Sequence, residues 1–274
     1  MQDGYALELK HVSKNFGNVA SNHDVSLNVR HGEILALLGE NGSGKTTLMN
    51  MIAGIYYPDA GEIYINGERV MITSPKDAFY YGIGMVHQHF KLVDVFTATE
   101  NIVLGIDNGE KFSLKSSAGK IREISSRYGF EIDPEKKIYN MSVSEKQTVE
   151  IVKVLYRGAN LLILDEPTAV LTPQETRKLF EVLRKMRDDG KSIIIITHKM
   201  HEVLTISDRV AIMRKGEYID TVETSGADEE LLTEMMVGKK VSLNIDHPEP
   251  HDIRERLVVR NLSMTDGEGV RVLE

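Results

Sequence analysis

The sequence predicts an α/β fold: a parallel sheet core, an N-terminal antiparallel β subdomain, and a helical lobe inserted between two parts of the core. Two patterns carry that expectation. Ile34 to Leu38, Leu161 to Leu164 and Ile193 to Ile196 are unbroken apolar runs, as in strands covered on both faces, and stretches of helical spacing separate them. Leu7 to Val12 and Val25 to Val29 instead alternate apolar and polar residues, so the start of the chain reads as half-exposed antiparallel strands.

The first unbroken run feeds Gly39-Glu40-Asn41-Gly42-Ser43-Gly44-Lys45-Thr46, a complete GxxxxGK[ST] phosphate-binding loop. A buried strand, a glycine-rich turn and a following helix aim backbone N–H groups and the helix dipole at phosphate. These eight residues, with Thr47, are therefore expected to hold a nucleoside triphosphate. Thr46 to Ala53 reads as the helix after the loop, stopped by Gly54, and Pro58 to Gly61 turns into a strand over Glu62 to Asn66. Ser113 to Tyr128 and Ser144 to Tyr156 show helical spacing and make up the lobe, about residues 90–157. Pro173 to Asp188 carries Leu179, Phe180, Leu183 and Met186 as a core-facing stripe.

Lys+Arg of 33 against Asp+Glu of 41 leaves a net charge of −8, which argues against a dedicated nucleic-acid binder. With no cysteine, disulfides and thiolate metal sites are excluded, as suits a reducing cytoplasm. No secretory signal is visible at Met1 to Tyr5, and the aliphatic runs fall far short of the roughly 20 residues of a membrane helix. Any membrane role is expected to come through a partner.

The chemistry is concentrated at strand ends. Lys45 is placed to pair with β- and γ-phosphate oxygens and Thr46 to ligate Mg²⁺. Leu161 to Leu164 ends in Asp165 and Glu166: the first is suited to hold Mg²⁺ through water, the second to act as base on a water attacking the γ-phosphate. His198 follows another buried run, where an imidazole reaches the γ-phosphate and orients that water. Gln88 offers a neutral amide to the metal or the water, while His87 and His89 read as surface residues.

The phosphate loop, Gln88, Asp165-Glu166-Pro167-Thr168 and His198, in that order, resemble the ATP-binding cassette ATPase family over about residues 5–238. The resemblance implies that Phe16 stacks on adenine and that ATP and Mg²⁺ are the cofactors. It further implies transmembrane permease subunits as partners, an extracytoplasmic solute-binding protein indirectly, and a place on the cytoplasmic face of a bacterial membrane. Val149 to Leu155 and Asp165 to Thr172 resemble, more narrowly, ATPases of nucleoside and simple-sugar importers, which carry two cassettes in one polypeptide. Phe90, Leu92 and Phe96 are candidates for the groove that receives the permease, or for lobe core.

Two features qualify the resemblance. In place of the family's LSGGQ signature, which completes the ATP site of a partner cassette, stands Met141-Ser142-Val143-Ser144-Glu145-Lys146-Gln147. Ser142 is kept, but Val143 and Ser144 replace glycines where backbone approaches phosphate, and Glu145 adds a like charge. One competent and one impaired site are expected. Thr172 stands where the family often has an aspartate that communicates between sites.

The domain reading is a cassette at 1–238, a linker at 239–256 and the start of a second, truncated cassette at 257–274, because Leu257 to Ser263 echoes Leu7 to Ser13. A cassette acting on nucleic acid or ribosomes would call for a basic linker or a long heptad run, and neither is present. A nucleotide-binding module with little turnover in isolation is the remaining alternative.

Overall fold

The computed structural model describes residues 4–106, 113–239, 257–265 and 271–273. Two compact units make up the chain, residues 1–241 and 242–274. In the first, the alternating segments form β1 (Tyr5–Phe16) and β2 (Val19–Arg30), paired antiparallel. Then follow β3 (Ile34–Leu38), α1 (Lys45–Ile52), β4 (Ala60–Ile65), β5 (Glu68–Val70), α2 (Pro75–Tyr80) and β6 (Ile83–Val86). β4 ends before Asn66, where the sequence pattern had carried it, because Asn66 adopts φ 51° and turns the chain into β5. β4 and β5 complete an antiparallel sheet of order β2-β1-β4-β5.

The lobe comprises α3 (Ala98–Val103), α4 (Leu114–Tyr128) and α5 (Val143–Tyr156). Ala98, Ile102, Ile121, Ile138, Val149 and Val152 form its own small core. The chain then returns through β7 (Leu161–Asp165), α6 (Pro173–Asp188), β8 (Ser192–Thr197), α7 (Met200–Ile206), β9 (Arg209–Arg214), β10 (Glu217–Glu223) and α8 (Glu229–Val237). The central sheet has the order β10-β9-β3-β8-β7-β6; all neighbours are parallel except β10 on β9.

The unbroken runs are explained by layers on both sides of this sheet. Leu35, Leu37, Ile163, Ile194 and Ile196 share a buried cluster with α1 and the antiparallel sheet. Ile34, Leu162, Leu164, Ile193 and Ile195 point the other way, against α5 and α6, where Leu179, Phe180, Leu183 and Met186 form the expected stripe with Val182 added. Alternate residues of β3, β7 and β8 thus enter different cores, and polar side chains are confined to strand ends, at Asp165, Ser192 and Thr197.

In the second unit, Met264–Thr265 (β11) pairs antiparallel with Arg271–Leu273 (β12). Apart from Lys239, the expected linker lies outside the described residues.

The packing of α5 on β6 sets where the chain after β6 can go. A Cβ on Gly84 would stand 2.7 Å from Val154 Cβ and 3.0 Å from Ala159 Cβ, so strand and helix touch through this position. Gly84→Ala is expected to cost about 1–3 kcal/mol of stability, read as a lower urea midpoint at unchanged slope. An unfolding curve that superposes on the parent's would show the contact to be slack.

Candidate active site

Strand register brings four chain segments to one edge of the central sheet. Leu38 pairs with Thr197, Asp165 with Ile196 and Val86 with Leu164, so the segments after β3, β6, β7 and β8 leave side by side. They enclose a cavity of about 420 Å³. Its lining includes Asn41, Gly42, Ser43, Gly44, Lys45, Thr46, Thr47, Gln88, Asp165, Glu166 and His198, joined by Ser21, Ala169 and Ile196. Gly39 and Glu40 form the base of the loop, and their carbonyls accept from Lys45 Nζ at 2.7 and 3.0 Å. Phe16 is absent from this lining; it is half exposed at the end of β1, edge-on to Tyr56 with centroids 5.1 Å apart.

The loop is a free helix N-terminus pinned from behind. α1 starts at Lys45, directly after Gly44, and no side chain caps its first turn, so its leading N–H groups remain available to an acceptor. Gly44 has φ 93°, and a Cβ there would lie 2.4 Å from Ser21 O, so both conformation and β2 exclude a side chain. Asn22 Nδ2 donates to Gly44 O (3.2 Å) and Ser21 Oγ to Thr47 Oγ1 (2.9 Å). Sequence reasoning missed Ser21 and Asn22, since no motif marks a strand that approaches the loop only in three dimensions.

Asp165 is the last residue of β7 and is buried. Glu166 turns left-handed at φ 48°, with its N–H donating to Ile196 O at 2.9 Å, and this turn sends a second carboxyl into the cavity. Pro167 and Thr168 continue as a turn, closed by Ala169 N–H on Glu166 O (3.2 Å), so the two acids do not cap a helix. His198 Nδ1 lies 2.8 Å from Glu166 Oε1; an ionised carboxylate only accepts, so Nδ1 carries the proton. Glu166 Oε2 is buried and has no hydrogen-bond partner in the protein.

Burial dominates the electrostatics. It pushes the Lys45 ammonium below its usual range, against the opposing pull of Glu166 and then Asp165. Burial, followed by the charge of Glu166, pushes the Asp165 carboxyl up, with a hydrogen bond from Thr46 and the charge of Lys45 acting in the opposite sense. His87 is not the surface residue expected from the sequence: it is half-buried, and burial, then Lys91, lowers its proton affinity. His89 is exposed.

Ser142, Val143, Ser144 and Glu145 lie outside the cavity, at the start of α5. Ser142 Oγ accepts from Glu145 N–H (3.2 Å) while the Glu145 carboxylate accepts from Ser142 N–H (2.7 Å), a reciprocal cap. Lys136 Nζ adds a 2.6 Å contact to Glu145. Burial raises the Glu145 carboxyl, but Lys136 and the Ser142 N–H outweigh it and hold it below the ordinary range. This helix end therefore carries its own anion. Leu92 packs on the lobe core, whereas Val93 and Val95 beside it are exposed.

A protein-family model described as ABC transporter matches residues 22–169, more than half of the chain. The chain belongs to the ABC transporter family. This ABC cassette is 44% identical over 273 residues to the nucleoside import ATP-binding protein NupA of Lactococcus lactis subsp. cremoris, a match taking in 98% of this chain and 54% of that protein. It is 44% identical over 271 residues to the guanosine import ATP-binding protein NupO of Bacillus subtilis, across 98% of this chain and 53% of that one. The chain spans about half the length of the curated relatives it matches. Among solved structures, cbiO1 from Clostridium perfringens, part of the ABC transporter complex cbiONQ, aligns with TM-score 0.72 and 28% identity over 86% of this chain and 93% of that one.

Within the cassette, Thr172 is the N-cap of α6, bonded reciprocally with Glu175, so the position often held by aspartate in the family has a local task here. The cavity's chemistry also has a cost. A carboxyl whose proton affinity rises on folding contributes stability below the ordinary aspartate range and loses it as pH climbs through the raised value. Above the ordinary aspartate range the buried Asp165 carboxyl therefore works against the fold. Asp165→Asn is expected to raise the urea midpoint of the nucleotide-free cassette at neutral pH, with the gain shrinking on mild acidification. An unchanged or lower midpoint at neutral pH would contradict this assignment.

Proposed function

We propose that this cassette binds and hydrolyses ATP and thereby energises import of a small solute, a nucleoside or simple sugar, through membrane permease subunits. The observation that carries the proposal is the single cavity lined jointly by the phosphate loop, Gln88, Asp165, Glu166 and His198. The relatives named for nucleoside and guanosine import support the solute class.

The residues divide the work by chemistry. The N–H groups of the loop and of α1 receive phosphate oxygens, and Lys45, already in the cavity wall, supplies the cation that pairs with them. Thr46, Asp165 and Gln88 offer hard oxygen donors for Mg²⁺; among the described residues no group of three or more His, Cys, Asp or Glu is clustered, which suits an ion that shares its shell with phosphates and water. When bound, Mg²⁺ supplies positive charge against the phosphates. Glu166 accepts the proton of the attacking water on Oε2, the oxygen left without a protein partner, while Oε1 stays on His198. His198 in turn keeps Nε2 free for the phosphate.

The second ATP site of a closed cassette pair follows from α5. Glu145 occupies the helix end that would approach a partner's γ-phosphate, so the site completed by this chain is impaired, while the site built on Lys45 depends on the partner's signature. We place the partner cassette in the same polypeptide, beginning near Leu257, on the echo of Leu7 to Ser13 and the length of the relatives. No described helix is long and apolar enough to cross a membrane. We place the permease contact at the 90–96 segment, where Val93 and Val95 are exposed, at the cytoplasmic face.

Lys45→Ala is expected to abolish binding of a fluorescent ATP analogue. Glu166→Gln is expected to retain binding and lose about a hundredfold to ten-thousandfold in phosphate release, measured with a second cassette supplied. Parental turnover by Glu166→Gln would remove Glu166 as the base.

A further inference from the structure

The hydrogen bond between Glu166 and His198 joins two separate chain segments, and neither partner is held by its own strand alone. Glu166 is one residue beyond β7 and His198 one residue beyond β8. Close behind them sits a second set of contacts that bridges the same two segments. Thr168 Oγ1 donates to Glu202 Oε2. Lys199 Nζ donates to Thr168 O at 3.0 Å, to Thr168 Oγ1 at 3.2 Å and to Glu202 Oε1 at 3.0 Å. Thr168 is 1% exposed, and Glu202 lies in the first turn of α7, directly after the His198 loop. The backbone on each side is tied as well: Lys199 N–H donates to Thr197 Oγ1 (3.1 Å), and Gln147 Nε2 of α5 donates to Pro167 O (2.5 Å).

We infer that Thr168, Lys199 and Glu202 form a clasp that sets the separation of Glu166 and His198, and that all three are positioning residues for hydrolysis. The inference rests on the functional reading of that pair given above. A hydroxyl, an ammonium and a carboxylate are mutually satisfied around the buried Thr168, with Glu202 mostly covered and Lys199 partly exposed, and such a connected network favours one geometry. Their arms reach the two segments within two residues of Glu166 and one of His198, so little chain lies between the clasp and the pair it spaces. Without the clasp, the left-handed turn at Glu166 and the exposed loop at His198 would be free to separate. A misplacement of about 1 Å in a reacting constellation costs up to about a hundredfold in rate. Nucleotide affinity, set by the loop and α1, would be untouched.

The test uses Thr168→Val, which keeps shape and loses the hydroxyl, and Thr168→Ser, which restores it; Lys199→Met is the second disruption should the valine variant fold poorly. Two readouts are taken on the full chain. The first is the His198 tautomer from imidazole ¹⁵N shifts at a pH where the ring is neutral: the parent and Thr168→Ser are expected to be predominantly Nδ1–H, and Thr168→Val and Lys199→Met to lose that preference. The second is ATP turnover with a second cassette supplied, where kcat is expected to fall about tenfold or more at a KM within about twofold of the parent, and to recover in Thr168→Ser. A tautomer unchanged in both disrupted variants, or a serine variant that fails to restore it, overturns the clasp. A parent that binds no ATP overturns the functional reading instead, and leaves the tautomer comparison to judge the clasp by itself.

Discussion

Everything in this protein hangs on the burial of five parallel strands from both sides. Because alternate residues of β3, β7 and β8 enter different cores, the strands are locked in register, and register places the chain after each of them at a common edge. The lobe attaches beside that edge through α5, and the antiparallel sheet approaches it from the other side through Ser21 and Asn22. Remove the two-sided burial and there is no reason for Lys45, Gln88, Asp165, Glu166 and His198 to share a cavity.

The same burial makes the site costly. A lysine and two carboxylates stand at the mouth of an apolar sheet, where burial penalises the charges of Lys45 and Asp165 and attraction between opposite charges offsets only part of the penalty. Such an arrangement spends stability on chemistry, since groups that are poorly solvated in the free protein are the ones that gain most from a charged ligand. The unpartnered oxygen of Glu166 is the local expression of this: it is buried in the cavity wall with no hydrogen-bond partner in the protein, and the proposed reaction would give it one.

Two helix N-termini are treated in opposite ways. α1 opens after a glycine with no side-chain cap and presents bare N–H groups. α5 opens with a serine and a glutamate that answer each other and recruit Lys136. One end leaves its N–H groups open to an external anion and the other supplies its own, so under the proposed reading the difference between a competent and an impaired ATP site reduces to where the capping charge comes from.

Much of this was legible in the sequence because it depends on short-range pattern. Unbroken runs determined β3, β7 and β8 though not β6 or β9, GxxxxGK[ST] the loop, and the acid pair after an apolar run the position of the carboxylates, since each is a property of neighbouring residues. The cap at Ser142 to Glu145 is equally local, although the sequence showed only missing glycines and an added charge. Tertiary structure alone decided what depends on distant segments meeting: that β2 pins the loop, that His87 is half-buried near Lys91, Glu150 and Lys153, that Phe16 stands outside the cavity lining, and that Thr168 reaches Glu202. No periodicity encodes those contacts, because they are set by how sheets and helices stack, which the chain specifies only through the sum of its buried surfaces.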